Sequence, residues 1–262
     1  MDSTGYVLNQ NFPSERARLS ALAQLWDAGT LRLVEDTGLG AGDRCLEAGA
    51  GTGSIAAALA AIVGTAGRVL AVDRDIRFLD DLPPQVEVRC ADVMTDDLPP
   101  AQFDLVHARL LVAHLHPHRE ALRRLAAAVA PGGWLLVEEV DWTYADRIEP
   151  EEPLYTAMIA ALTEIMGDGG FDARYGRRLL GDVLGLGLTE VSAQYRGLQS
   201  EHDNAWLAWQ LLVEQFHDRI VARGLLSRDD VDRWWALSRA GTSILTGPAV
   251  FAVRARRPLP VD

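Results

Sequence analysis

The stretch Leu46-Glu47-Ala48-Gly49-Ala50-Gly51-Thr52-Gly53-Ser54-Ile55-Ala56 sets three glycines at alternate positions between an apolar run and an alanine-rich run. Glycine has no Cβ to obstruct a ligand and tolerates positive φ, so a strand-to-helix loop of this kind suits close approach of backbone to ligand. Gly51 to Ala56 also satisfies a loose dinucleotide fingerprint. The glycines alone therefore leave a nicotinamide cofactor and another nucleoside both open.

Outward from that loop, short β-rich runs alternate with helical stretches, the pattern of right-handed crossovers and a mainly parallel sheet. It predicts strands over 44–48, 68–72, 86–90, 103–108 and 134–138, and helices over 54–63, 76–81 and 117–130. Pro131-Gly132-Gly133 reads as the boundary that ends the last helix and lets the next strand begin. Upstream, Leu19, Leu22, Leu25 and Trp26, then Leu33 and Val34 after a break at Gly29, have the spacing of one or two amphipathic helices.

After Asp141 the alternation fades into helical patterns over 154–166, 174–186, 206–223 and 228–240, with strand candidates at 191–198 and 249–257. The gap between those two strands is too long for a plain connection and predicts a cap over the sheet's ligand edge. The expected organisation is an N-terminal helical segment over 1–40 covering the site. A core over 41–262 follows, with helical insertions at about 142–170 and 200–242.

A formal charge of −12 would repel a polyanion, which excludes nucleic acid as a natural partner. Cys45 and Cys90, the only cysteines, adjoin strand-like runs and read as small buried hydrophobes suited to a reducing cytoplasm. The small-apolar run over 55–63 is far shorter than the roughly 18 residues of a membrane span, and no basic region with an apolar core opens the chain. The expectation is a soluble cytoplasmic protein.

In an open α/β sheet the useful residues end strands, and three acids do so here: Glu47, Asp73 and Asp92. Asp73 follows the glycine loop at the distance that brings a second strand's carboxylate beside it, where it can accept two ribose hydroxyls. Together, Leu46 to Gly53, Ala71-Val72-Asp73-Arg74-Asp75, Cys90-Ala91-Asp92-Val93 and Phe103-Asp104-Leu105-Val106-His107-Ala108-Arg109 resemble the ordered motifs of the class I, seven-stranded S-adenosylmethionine-dependent methyltransferases. The resemblance implies a Rossmann-like α/β fold with helices on both faces of the sheet. It implies S-adenosyl-L-methionine as cofactor and S-adenosyl-L-homocysteine as product.

By the same resemblance, Gly49, Gly51 and Gly53 line the methionine and ribose part of the cofactor, Asp73 holds the ribose, and Asp92 with the Val93 amide meets the adenine, flanked by Arg74. Glu47 orients the loop and the cofactor's amino group, and the backbone of His107 and Ala108 faces the methionine moiety. Tyr6 looks like an N-terminal aromatic that folds over the cofactor.

A sulfonium methyl is already electrophilic, so the protein must align a nucleophile, exclude water and, for a hydroxyl, provide a base. His114, whose ordinary pKa lies near neutrality, is the first candidate; Asp141, at the end of the fifth strand, can orient an acceptor. Trp142, Trp206 and Trp209 are expected to wall the acceptor pocket, with Gln210 and His217 as polar contacts. The alternate His114, His116 and His118 carry no metal reading, because Pro117 interrupts any strand that would align them.

The family's amino-methylating nucleic-acid enzymes carry an Asp/Asn-Pro-Pro-aromatic motif where this chain has His-Ala-Arg-Leu. The implied acceptor is a small molecule, a specialised metabolite methylated on oxygen in preference to nitrogen or carbon. A non-methylating member, either a cyclase or a regulatory subunit, and a nicotinamide-dependent oxidoreductase stand as alternatives. Pairing into a homodimer is left open.

Overall fold

The leucine-rich N-terminal segment folds as a single helix, α1 (Glu15–Glu35), that runs through Gly29 without a break. A Cβ on Gly29 would lie 2.6 Å from Arg196 Nε, so this glycine serves the close approach of a side chain rather than a helix end. The computed structural model describes Leu8 and residues 12–200 and 204–260. Tyr6 lies outside the described residues.

The apolar run before the glycines is β1 (Arg44–Ala48), and the alanine-rich run after them is α2 (Ser54–Val63). There follow β2 (Arg68–Asp73), β3 (Val86–Cys90), β4 (Phe103–Arg109), α3 (His118–Ala128) and β5 (Val129–Asp141). Then come β6 (Arg147–Glu149), α4 (Pro153–Gly167), α5 (Gly176–Leu184), β7 (Thr189–Arg196), β8 (Gln199–Ser200), α6 (Asn204–Ala222), α7 (Arg228–Arg239), β9 (Ile244–Thr246) and β10 (Ala249–Arg256). The main sheet has seven strands in the order β3-β2-β1-β4-β5-β10-β7; β10 alone runs antiparallel to its neighbours.

Both faces of the central strands of this sheet are buried, and the period of two divides their apolar residues cleanly. Cys45, Val69, Leu105 and Leu136 pack with α2, while Leu46, Leu70, Val106 and Leu135 belong to the larger cluster on the other side. The order reverses at β1 and β4, whose carboxyl ends therefore open the crevice where ligands of such sheets bind.

Three local expectations are corrected. Residues 76–81 form turns, not a helix, because the Asp73 carboxylate accepts from the Asp75 amide (3.0 Å) and Asp75 from the Arg77 amide (3.1 Å). Such local bonds compete with helical ones. Cys90 is exposed on edge strand β3, and only Cys45 is buried. Pro131-Gly132-Gly133 lies inside β5, since Gly132 N and Gly133 O pair with Arg257 at 2.9 Å and shift the register against β4.

The segments between the late strands supply a small antiparallel sheet, β6-β9-β8, whose two- or three-residue strands are too short to show alternation in the sequence. Helix α4 packs on α6 and α7, and α1 lies along α6. No helix among the described residues is long and apolar enough to cross a membrane.

Candidate active site

A cavity of about 890 Å³ opens at the carboxyl ends of the parallel strands, between the glycine loop, α1 and α6. Gly51, at φ +56°, takes a conformation that L side chains rarely adopt, and a Cβ there would meet nothing within 4 Å. The loop thus presents bare backbone to free space. Its amide donates to Asp73 Oδ2 at 2.9 Å, so the carboxylate at the end of β2 already braces the loop from beneath. Burial pushes the Asp73 carboxyl up, against the pull of the Asp75 and Gly51 amides.

Asp92 and Val93, beyond β3, complete this end of the cavity together with Arg74. Arg74 Nε stands 3.4 Å from Asp92 Oδ2, and Asp92 Oδ1 accepts from the Met94 amide at 2.8 Å. Gly49 and Gly51 line the cavity; Gly53, at φ +79°, instead packs its Cα under Leu82 and Leu79 where α2 begins. The residues expected at Glu47, Gly49, Gly51, Asp73, Arg74, Asp92 and Val93 therefore share one wall.

His107 and Ala108 do not. Strand β4 extends to Arg109, so the cavity wall after it is Arg109, Leu110 and Leu111. The His107 side chain is fully buried between two carboxylates: Nδ1 lies 2.6 Å from Glu47 Oε2 and Nε2 3.2 Å from Glu138 Oε1. Burial alone would depress its pKa, but the Glu47 charge and the hydrogen bonds to Glu138 and Glu47 lift it to about 9, so the ring is an imidazolium at neutral pH. Glu138 also accepts from Thr30 Oγ1 at 2.6 Å and pairs with Arg196. Despite its burial, those partners bring its carboxyl down to about 2. Two anions and two cations thus balance in a row from Glu47 to Arg196, and only Glu47 touches the cavity.

The 3-10 turn Val112–His114 carries His114 into the cavity wall, its ring 4.7 Å from that of Phe171. Burial, aided by the charges of Arg18 and His116, pushes its pKa down to about 3, so the imidazole is neutral. Asp141 is absent from the lining. It accepts from Thr143 N (2.9 Å) and Oγ1 (2.6 Å) and pairs with Arg177, capping the turn after β5. Burial would raise its carboxyl, but Arg177 and Thr143 hold it below the usual range, so its expected catalytic place is corrected to a structural one.

On α6, Ala205, Ala208, Trp209 and Leu212 recur at the spacing of one helix face and line the cavity. Trp206, one residue on from Ala205, sits roughly 100° further round the helix. It packs instead with Tyr155 and Trp234 in the core. Gln210 donates to Ser238 O at 3.0 Å and ties α6 to α7, while His217 bonds Glu214 O on the outer side. These three are corrected from acceptor contacts to packing and surface groups. Trp142 and Trp209 do line the cavity, edge to face at 5.0 Å, with Phe171 4.9 Å from Trp142.

Two further lining residues are marked in the sequence by their spacing. Glu15 and Arg18, three apart on α1, form a buried bidentate pair (2.7 and 2.8 Å) at the same apolar end as His114. Phe171 lies in a loop and has no such mark. Of the other histidines, His118 is bonded to the carbonyls of Val112 and Leu115 and to Asp172, and His116 to Gly170 O. Both fasten loops together. Among the described residues no group of His, Cys, Asp and Glu is arranged to hold a metal ion.

Residues 18–236 match the family described as "Methyltransferase domain". Over 142 residues, 54% of this chain and 51% of the relative, the sequence is 34% identical to "Methyltransferase str2" of Strobilurus tenacellus. The chain spans about half the length of the curated relatives it matches first. Phosphoethanolamine N-methyltransferase 2 of Haemonchus contortus, solved with phosphomonomethylethanolamine and S-adenosylhomocysteine, superposes with a TM-score of 0.55 at 16% identity, over 93% of this chain and 57% of that one. The [4+2]-cyclase SpnF superposes with the same score at 18% identity, over 89% and 82%. Both structural likenesses concern the fold alone.

Proposed function

The chain belongs to the methyltransferase domain family, and from that premise we propose that it uses S-adenosylmethionine to methylate an apolar small molecule, on an acidic oxygen in preference to nitrogen or carbon. The observation that carries this reading is the single wall formed by the bare-backbone loop at Gly51, the Asp73 carboxylate beneath it, and Asp92 with Val93 beyond. This wall fits an adenosyl group: open space at Gly51, an acceptor for ribose hydroxyls, and a polar edge for a base. The family match removes the nicotinamide alternative.

S-adenosylmethionine, when bound, supplies a methyl group on an electrophilic sulfonium. Glu47, held in place by the His107 imidazolium, offers the cofactor's ammonium an oriented carboxylate. Leu19, Leu22, Leu115, Phe171, Trp142 and Trp209 exclude water from the acceptor end. His114 is neutral there and accepts a hydrogen bond from the acceptor's hydroxyl, aligning its lone pair. Because His114 binds protons too weakly to keep one at neutral pH, the proton of the acceptor's hydroxyl passes on to bulk water as the methyl bond forms, and that loss is easiest for an already acidic phenolic or enolic hydroxyl, which ranks such acceptors above alcohols. The Glu15–Arg18 pair is the charged feature an acceptor meets beside His114.

Incubation with methyl-labelled S-adenosylmethionine and a panel of apolar phenols, enols, amines and alcohols tests this proposal. Label transfer to phenols or enols is expected. Label transfer to amines alone would contradict the oxygen preference, and adenosyl binding without transfer would favour the non-methylating reading that the SpnF fold keeps in view. A specialised metabolite as the acceptor, a cytoplasmic setting and pairing of two chains belong to the same proposal.

A further inference from the structure

Glu139 is a fully buried carboxyl that the proposed function leaves unused. It stands on β5 beside Glu138 but points to the opposite face of the sheet, away from the His107 row. Its Oε1 accepts the amides of Leu111 (2.9 Å) and Val112 (2.5 Å), and its Oε2 is buried with no hydrogen-bond partner among the described residues.

What those two amides belong to gives the carboxyl its importance. Leu111 and Val112 open the 3-10 turn that carries His114, and the His114 amide closes on Leu111 O at 3.0 Å. The Leu111 side chain lies over the glycine loop, 3.1 Å from where a Cβ on Gly49 would be. One carboxyl oxygen therefore holds a segment that touches the cofactor end through Leu111 and the acceptor end through His114.

We propose that Glu139 is a positioning residue that keeps the two ends of the site in register, by fixing the turn that joins Leu111 over Gly49 to His114. This rests on the methyl-transfer reading for what the two ends bind. Burial of a carboxyl without a cation beside it disfavours its charged form strongly. An apolar residue at 139 would be the better core side chain, were it not for the buried Val112 amide and the half-buried Leu111 amide, which would lose their acceptor. Burial, against the pull of the Val112, Ala113 and Leu111 amides, raises the carboxyl to about 8, so at neutral pH it is an uncharged acid and glutamine is its isostere.

The test compares wild type, Glu139→Gln and Glu139→Leu by amide hydrogen exchange at Leu111 and Val112 and by calorimetric titration with S-adenosylhomocysteine. Glutamine is expected to keep both properties within about twofold, whereas leucine speeds exchange at these two amides and weakens binding, each about tenfold. Unchanged exchange in the leucine variant would overturn the proposal. Should that variant fail to fold, the glutamine variant decides: retained protection supports the assignment, and lost protection overturns it. Absence of S-adenosylhomocysteine binding by wild type would instead remove the methyl-transfer reading, while the exchange comparison still tests the hold on the turn.

Discussion

His107 Nδ1 and Glu47 Oε2 lie 2.6 Å apart at paired positions of β4 and β1, and the imidazolium so formed is fully enclosed. The contact links a residue that meets the cavity to a buried row ending at Arg196. Replacing His107 by Leu leaves Glu47 and Glu138 facing each other without the intervening cation, which is expected to destabilise the fold by about 3–5 kcal/mol. Urea unfolding of the variant measures it; a loss under about 1 kcal/mol would mean the row is not charged as described.

The same residue sets a pH dependence. Its pKa is raised from 6.5 to about 9 in the fold, so its contribution is complete below pH 6.5 and is lost as pH rises through 9. Wild-type stability should fall by about 3 kcal/mol across that window, and the Leu variant should lack this slope. Parallel curves for the two proteins would refute the assignment.

Gly29→Ala poses a contest of magnitudes. Alanine favours an isolated helix by about 1 kcal/mol. Here, however, the new Cβ would fall 2.6 Å from Arg196 Nε. Although a guanidinium is the far end of a flexible chain, this one is anchored to Glu138 and lies over the Trp26 ring. Disturbing a buried pair outweighs the propensity gain, so a net loss of about 2 kcal/mol is expected. A more stable variant would show that Arg196 moves freely.

Asp73→Ala removes the acceptor beneath the loop and frees the Gly51 amide. Affinity for S-adenosylhomocysteine should drop by about 1–3 kcal/mol in calorimetry. Equal affinity would take Asp73 out of the site.

His114→Ala should lower turnover while leaving S-adenosylhomocysteine affinity within about twofold. Because burial holds His114 near 3, its imidazole resonances in the ligand-free protein should not titrate between pH 5 and 8. A midpoint near 6.5 would show it solvated.

The sequence carried the sheet and the grouping of Gly51, Asp73 and Asp92 on one cavity wall well, because both depend on local signals. The glycine loop, the period-two strands and the acids that end them need only neighbours in sequence, and β1, α2 and β3 have their expected bounds. The α6 side of the cavity depended on which face of that helix turns inward, and one residue separates Trp206 in the core from Ala205 at the cavity. Asp141 read as a strand-end acid like Asp73, yet Arg177, far along the chain, claims it for a cap. The Glu47–His107–Glu138–Arg196 row joins four strands, and no spacing in the sequence announces it.

The most direct test of the central claim is calorimetric titration of the wild-type chain with S-adenosylmethionine, S-adenosylhomocysteine and NAD in one buffer. Saturable binding of both adenosyl ligands, and none of NAD, is expected. Binding of NAD without either adenosyl compound would contradict the claim.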